Sequence, residues 1–212
     1  MPPTLIQPPA LKKGASIGIT CPAGYMPRAT ADACIYTLQQ WGYEVWVGQT
    51  VGSDSTNYFS GTDAFRLAEM QAMLDTPELD AILCGRGGYG SSRIIDQLNF
   101  RAFKKNPKWL IGFSDITVLH AHLSKVVGVA SLHASMASAF RNAEAAIDIQ
   151  TLQHALQGKR TRYVLPAHEA NHVGQATGPL VGGNLAILAH LIGTKSFPRM
   201  DGAILFLEDV GE

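Results

Sequence analysis

Two segments carry residue types that could support chemistry: a glycine-rich run at residues 85–90 and a serine at position 114. The run reads GRGGYG and directly follows a short apolar stretch at residues 81–84. Glycines let a backbone turn tightly and direct several N–H groups at one anion. The run therefore predicts an anion-binding turn, with Arg86 beside it as a positive charge.

The same glycines leave two other interpretations open. Gly85, Gly87 and Gly90 match the G-x-G-x-x-G spacing of a dinucleotide fingerprint, and glycine also marks ordinary tight turns. A dinucleotide fingerprint normally follows the first strand of its unit and needs an acidic residue about 20 positions later, at the end of the next strand. Asp115 lies at a tolerable distance but directly follows a serine at a helix start. We therefore prefer a cradle of backbone amides.

Ser114 lies between an apolar stretch at residues 109–113 and a helix-prone segment. A serine at such a junction resembles a nucleophile elbow, where the hydroxyl projects from the sheet edge and the next N–H faces an oxyanion. The segment lacks the full G-x-S-x-G pattern, and serine also favours helix N-caps for structural reasons alone. Ligands of open α/β sheets bind at the carboxyl ends of strands. The glycine run and Ser114 follow neighbouring strands, and together they therefore favour a ligand-binding or catalytic site at this edge of the sheet.

Short apolar runs alternate with amphipathic stretches, the pattern of a parallel α/β sheet. Strands are predicted at residues 16–20, 43–47, 81–84, 109–113, 130–132 and 203–207. Helices are predicted at residues 29–41, 62–74 with Thr62 as N-cap, 93–98, from 114 onward and 185–191. A polar loop is predicted at about residues 158–171.

We predict an α/β fold in two parts. Residues 1–165 are expected to form an N-terminal domain, a parallel sheet with helices on both faces. Residues 170–212 are expected to be the beginning of a second, C-terminal α/β domain. The one strand and one helix predicted there cannot bury a core of their own. The second domain is therefore expected to be truncated at residue 212.

Composition excludes several classes of protein. Of the 212 residues, 46% are hydrophobic, and 17 Lys and Arg balance 17 Asp and Glu, so a basic-groove nucleic-acid binder is excluded. No run approaches the roughly 20 apolar residues of a membrane span. The N-terminus lacks a secretory signal pattern, which predicts a cytoplasmic protein. The three cysteines lack metal-ligand spacing and are expected to be reduced and buried: Cys21, Cys34 and Cys84.

Several motifs, in their order along the chain, resemble those of LD-carboxypeptidases, serine peptidases that trim cell-wall peptides. They are GRGGYG at residues 85–90, GFSDIT at 112–117, GGNL at 182–185 and FLED at 206–209. The segments ITCPAG at 19–24 and FSGTD at 59–63 are similar to the family too. Each motif is weak alone, but together they extend the resemblance over essentially the whole chain.

The resemblance implies a Ser-His-Glu triad. Ser114 matches the nucleophile and Glu208 the carboxylate that orients the histidine. The backbone amides of Gly88 and Asp115 match the oxyanion hole. Arg86 and Asn184 occupy cleft positions in the motifs and are expected to contact substrate: Arg86 is the candidate for the free carboxylate of the substrate.

The catalytic histidine of the family follows the glutamate, in the C-terminal domain, and no residue of these 212 matches it. His120, His133 and His190 are expected to be structural or surface residues, and none is assigned as the base. The resemblance also implies a homodimer without metal or cofactor that cleaves murein tetrapeptides before the terminal D-alanine, in cell-wall recycling. Alternatives are a microcin C self-immunity peptidase of the same family, a dinucleotide-binding module and a non-catalytic peptide-binding domain.

Overall fold

The protein is described here from a computed structural model, which covers residues 5–53 and 57–210. The expected absence of a secretory signal depends on the N-terminal segment. Most of that segment, residues 1–4, lies outside the described residues. So do residues 211 and 212, at the end of the predicted second domain.

One sheet forms the body of the molecule. Its strands are β1 (Ser16–Thr20), β2 (Glu44–Val47), β3 (Ala81–Cys84), β4 (Trp109–Gly112) and β5 (Leu132–His133). They run parallel in the order β2-β1-β3-β4-β5. The turns after β1, β3 and β4 therefore emerge side by side at one edge of the sheet, and this edge carries the glycine run and Ser114.

Helices connect the strands and cover the sheet. They are α1 (Asp32–Gln40), α2 (Asp63–Asp75), α3 (Ser91–Ile94), α4 (Arg101–Lys105), α5 (Thr117–His122), α6 (Ala146–Leu156) and α7 (Leu185–Leu191). Helix α2 begins where the sequence predicts, because the Thr62 side chain accepts a hydrogen bond from the Phe65 N–H. Sequence analysis missed α4 and α6.

Two hydrophobic cores lie on opposite faces of the sheet. On one face, Ile82 and Leu110 pack with residues of α2, α4 and α5. On the other face, Leu83 and Ile111 pack with residues of α1 and α6. Successive strand residues point to opposite faces, so the uninterrupted apolar runs of β3 and β4 supply both cores. The predicted α/β fold with helices on both faces is confirmed.

A second, two-stranded parallel sheet is formed by β6 (Leu180–Asn184) and β7 (Ile204–Glu208), which α7 connects. Sequence analysis predicted β7 and α7 but assigned no strand to residues 180–184, which is wrong. Gly182 and Gly183 interrupt the apolar pattern of this strand, and glycine is rare in strand interiors. Both strands expose apolar side chains, among them Leu180 and Leu205. The proposed boundary between two domains stays a prediction.

Residues 159–178 contain no helix or strand, as the predicted polar loop requires. The three cysteines are buried and form no disulfide, as predicted. Burial raises the pKa of the Cys21 thiol to about 12, so this thiol stays protonated and unreactive at neutral pH. Within the described residues, no helix is both long and apolar enough to cross a bilayer.

Candidate active site at the carboxyl edge of the sheet

Ser114 lies where the chain passes from β4 into α5, and its backbone adopts a left-handed conformation with φ = 60°. Within the described residues it is the only non-glycine residue with a positive φ. Such a conformation costs about 1–3 kcal/mol and persists where the surrounding structure enforces it. The N-cap of α5 is Ile116, and no side chain caps this helix. Ser114 is therefore not its N-cap, and a strained serine after a strand matches the elbow geometry.

Gly87 faces the Ser114 side chain from the glycine run. A Cβ placed on Gly87 would lie 3.0 Å from the Ser114 Cβ and 3.2 Å from its Oγ. A side chain at position 87 would crowd Ser114 in this arrangement, so glycine suits the close approach of the two turns. The structure thus brings together the serine and the glycine run that sequence analysis singled out at neighbouring strand ends.

Backbone hydrogen bonds fix the glycine run from three sides. The Gly24 N–H donates to the Gly87 carbonyl at 3.0 Å, and the Gly85 N–H donates to the Thr20 carbonyl at 2.7 Å. The Ser138 N–H donates to the Gly85 carbonyl at 3.0 Å. The turn is therefore held rigidly in front of Ser114, as preorganised hydrogen-bond donors require.

Gly88 and Arg86 lie on the solvent side of this turn. Gly88 is exposed and has φ = 105°, and a Cβ at this position would collide with the Tyr58 hydroxyl. The Arg86 side chain is exposed, and its Nη1 donates to the Tyr25 carbonyl at 3.1 Å. Both residues are thus accessible from solvent at the edge of the candidate site.

Asp115 follows the serine and is buried, with 1% of its surface exposed. Its Oδ2 accepts a hydrogen bond from the Ser91 N–H at 2.8 Å, at the start of α3. Burial raises the pKa of this carboxyl, and the bond from the Ser91 backbone opposes the rise. The side chain of Asp115 therefore ties Ser114 to the end of the glycine run, independently of any role of its backbone amide.

Strand β6 approaches the start of α5 at Gly183 and Asn184. A Cβ on Gly183 would lie 2.5 Å from the Thr117 Oγ1. The Asn184 N–H donates to the same Oγ1 at 3.0 Å. This contact brings the carboxyl end of the second sheet against the helix that follows Ser114.

Glu208 ends β7 and is the register partner of Asn184 in β6. Burial raises the pKa of its carboxyl, and the neighbouring Asp209 adds to the rise. The Asn184 side chain and the Ser114 backbone oppose the rise. Asn184 contacts Thr117, three residues after Ser114, so its register partner Glu208 lies at the same edge as the serine. Its Oε1 is buried and has no hydrogen-bond partner within the described residues. A buried carboxylate oxygen without a partner is costly and is therefore ready to accept a donor.

Several hydrogen bonds hold Asn184 itself. Besides its bond to Thr117, its Oδ1 accepts from the Ile187 N–H at 3.1 Å and so caps α7. Its Nδ2 donates to the Asp209 Oδ1 at 3.2 Å. Asn184 thus connects the start of α7 with the end of β7, and its predicted contact with substrate stays a prediction.

Models of two protein domains match the chain. The model of the LD-carboxypeptidase N-terminal domain matches residues 17–134, and that of the LD-carboxypeptidase C-terminal domain matches residues 177–212. This chain belongs to the LD-carboxypeptidase family.

Two relatives with carboxypeptidase names support this family membership. A protein of Bacillus subtilis named probable murein peptide carboxypeptidase is 32% identical over 97% of this chain and 66% of its own length. The murein tetrapeptide carboxypeptidase of Pseudomonas aeruginosa is 30% identical over 92% of this chain and 66% of its own length. The chain thus spans about two thirds of the length of each of these two carboxypeptidases.

Solved structures show the same fold. An MccF-like protein from Bacillus anthracis superposes with a TM-score of 0.85, over 96% of this chain and 70% of that one, at 24% identity. At this identity the likeness establishes the fold and leaves the substrate open.

The histidines of this LD-carboxypeptidase chain differ in their surroundings. His120 is buried; its Nε2 lies 2.9 Å from the Gly112 carbonyl and its Nδ1 2.8 Å from the Ser131 hydroxyl. A carbonyl only accepts, so Nε2 carries the proton and Nδ1 accepts from Ser131. With both nitrogens engaged, His120 is structural, as expected. His190 is exposed.

His133 is exposed at the end of β5, with its ring centroid 6.0 Å from that of Phe113 and 5.0 Å from that of Phe206. It lines a cavity of about 600 Å³ between the two sheets, together with Phe206 and Leu180. Ser114 does not line this cavity. None of the contacts of His133 makes it a base for the serine.

His120 gives a testable pH dependence. Burial lowers the pKa of this histidine from 6.5 to about 4, so below pH 6.5 the unfolded chain binds the proton and acid favours unfolding. The unfolding free energy of the wild type should therefore fall as the pH is lowered from 6.5 to 4. In His120→Gln this slope should be shallower by up to about 1.4 kcal/mol per pH unit. Urea denaturation at several pH values measures this slope. An unchanged slope in His120→Gln would refute the conclusion that His120 is held neutral by burial in the folded protein.

Sequence analysis missed one residue of the site region, Arg66. It is fully buried and lies on the face of α2 that also buries Met70, Met73 and Leu74. The spacing of these four residues is that of one helix face. A charged residue on a buried face needs partners, and this signal could have revealed Arg66 from the sequence.

Proposed function

We propose that this protein is a serine carboxypeptidase that removes the terminal D-alanine from murein tetrapeptides by hydrolysing the L,D peptide bond. The observation that carries the proposal is the left-handed Ser114, whose side chain faces Gly87 of the glycine run. The curated relatives named as murein peptide and murein tetrapeptide carboxypeptidases support the substrate class.

In the proposed reaction, the Ser114 Oγ attacks the carbonyl carbon of the scissile bond and loses its proton to a histidine. The backbone N–H groups of Gly88 and Asp115 donate to the oxyanion that forms, an effect worth about 3–4 kcal/mol per donor in comparable sites. The histidine returns the proton to the amine of D-alanine, which leaves. Water then hydrolyses the acyl-enzyme and restores the serine.

Glu208 is the proposed partner of the histidine. Its buried Oε1, which has no partner within the described residues, is suited to accept the imidazole N–H. The family resemblance locates this histidine after the glutamate, in the part of the relatives that extends past residue 212. Within the described residues, His120 is engaged by Gly112 and Ser131 and cannot serve.

Arg86 and Asn184 are the proposed substrate contacts. The exposed guanidinium of Arg86 lies beside the glycine run, where the free carboxylate of the substrate would be neutralised by a charge-assisted hydrogen bond. We further propose that the enzyme acts in the cytoplasm, as a homodimer, without nucleic acid as a partner.

The glycine run argues against the dinucleotide alternative. The space in front of each fingerprint glycine is filled by protein: a Cβ on Gly85 would meet the Cys21 Sγ, one on Gly87 would meet Ser114, and one on Gly90 would meet Arg66. In a dinucleotide fingerprint the second glycine leaves room for the pyrophosphate. Here the second glycine is Gly87, and the space beside it is taken by the Ser114 side chain.

A direct test compares substrates with the full-length protein, including the segment that follows Glu208 in its relatives. We expect release of D-alanine from a murein tetrapeptide, detected by chromatography, and no release from the matched tetrapeptide that ends in L-alanine. Hydrolysis of an aspartyl sulfamoyl adenosine instead would favour the microcin C self-immunity branch of the family. Saturable binding of NAD in an equilibrium titration would favour the dinucleotide module.

A further inference from the structure

We propose that Arg66 is a positioning residue for the reaction, one that holds the glycine run against Ser114 without contacting substrate. The inference rests on the proposed function and adds to it a buried charge that the motifs do not contain. Arg66 lies on the first turn of α2 and is fully buried.

The guanidinium of Arg66 connects two of the turns at the carboxyl edge of the sheet. Its Nη1 donates to the Pro22 carbonyl, in the turn after β1, and at 3.1 Å to the Gly90 carbonyl, at the end of the glycine run. Its Nη2 forms an ion pair with Asp63 at the start of α2. One planar group with several donors in fixed directions can hold these elements in register.

The Phe59 ring covers the guanidinium, with its centroid 5.0 Å from the Arg66 Cζ. Gly90 leaves room for the guanidinium because it has no side chain. Its φ is 142°, and a Cβ there would lie 2.8 Å from the Arg66 Nη1. The guanidinium is thus surrounded by the Phe59 ring, the Asp63 carboxylate and the carbonyls of Pro22 and Gly90.

Two short paths lead from this cation to the nucleophile. Gly90 precedes Ser91, whose N–H donates to the Asp115 carboxylate at 2.8 Å, and Asp115 follows Ser114. The positive charge of Arg66 also opposes the rise in the pKa of the buried Asp115 carboxyl. Removing the guanidinium therefore loosens both the end of the glycine run and the residue next to the serine.

The second path runs through the turn after β1. Pro22 accepts from Arg66, and two residues later the Gly24 N–H donates to the Gly87 carbonyl at 3.0 Å. Gly87 is the residue that faces Ser114. Arg66 thus supports the glycine run at Gly90 directly and at Gly87 through the neighbouring turn.

Arg93 provides a matched control on the same partners. Its Nη2 lies 2.7 Å from the Asp63 Oδ2, and its Cζ lies 5.4 Å from the centroid of the same Phe59 ring. Its side chain is 46% exposed, and the side-chain hydrogen bonds found for Arg93 within the described residues go to Asp63. Only the backbone N–H of Arg93, which a substitution keeps, donates to the Gly90 carbonyl, at 3.1 Å. A general effect of charge around Asp63 would therefore appear in Arg93 variants as well.

The test measures kcat and KM for D-alanine release by full-length Arg66→Met, Arg66→Lys and Arg93→Met, together with the melting temperature and the rate at which a fluorophosphonate labels Ser114. We expect Arg66→Met to lower kcat and the labelling rate by roughly tenfold or more, with KM within about threefold of the wild type. Arg66→Lys should recover part of kcat, because the ammonium keeps the charge and N–H donors but lacks the planar geometry that reaches all the partners at once. Arg93→Met should behave as the wild type.

A folded Arg66→Met with kcat and labelling close to the wild type would overturn the proposal, and so would an equal loss in Arg93→Met. If Arg66→Met does not fold, Arg66→Lys decides: a lowered kcat at unchanged KM supports positioning, and an unchanged kcat refutes it. Failure of the proposed function is separate, since it would appear as absence of D-alanine release by the wild-type protein.

Discussion

Glutamine at position 208 should lower kcat for D-alanine release by roughly 10⁴-fold, the size seen when the carboxylate of a serine-peptidase triad becomes an amide. Glutamine keeps the volume of glutamate, so packing at the end of β7 should be preserved. It lacks the negative charge that holds the imidazole in the correct tautomer and stabilises the imidazolium in the transition state. The measurement is steady-state hydrolysis of a murein tetrapeptide by the full-length protein.

Asp209→Asn is the matched control for this substitution. Asp209 is adjacent, but its Oδ1 accepts from Asn184 and from its neighbour Val210, and an asparagine oxygen can keep both bonds. This variant should retain most of the activity. A Glu208→Gln protein as active as Asp209→Asn would show that the carboxylate at position 208 has no part in catalysis.

The sheet could be predicted from the sequence because its central strands are buried on both faces. Strands β3 and β4 are apolar at every position since they supply cores on both faces, and this pattern needs no tertiary information. The start of α2 was equally predictable, because Thr62 is a local cap. In contrast, β6 contains two glycines that a strand pattern does not predict, and its partner β7 lies about 20 residues away.

The elements of the site could be predicted, but their geometry could not. A serine after an apolar run has the same sequence whether it caps a helix or adopts φ = 60°, because the left-handed backbone is enforced by the turns around it. Likewise, the glycine run suggests a cradle, but only the structure shows that Gly87 faces Ser114. The proximity of Glu208 depends on the docking of β6 against Thr117, a contact between distant segments.

Replacing Ser114 by alanine should have the largest effect of all. Without the hydroxyl no acyl-enzyme can form, and kcat should fall by roughly 10⁶-fold, as in other serine peptidases that lose the nucleophile. Fold and stability should stay close to those of the wild type, because alanine keeps the Cβ that serine has at this left-handed position and removes only the hydroxyl. The control is Ser91→Ala, which removes a buried hydroxyl at the start of α3 that has no part in the proposed reaction and keeps the backbone N–H that donates to Asp115. This variant should keep activity within the same order as the wild type.

The most direct test of the central claim is D-alanine release by the full-length Ser114→Ala protein, measured beside the wild type with a fluorophosphonate adduct mapped by mass spectrometry. The account predicts no detectable release by Ser114→Ala, and an adduct on Ser114 in the wild type that is absent from the variant. Release by Ser114→Ala at a rate near that of the wild type, or an adduct on another serine of the active wild-type enzyme, would contradict it.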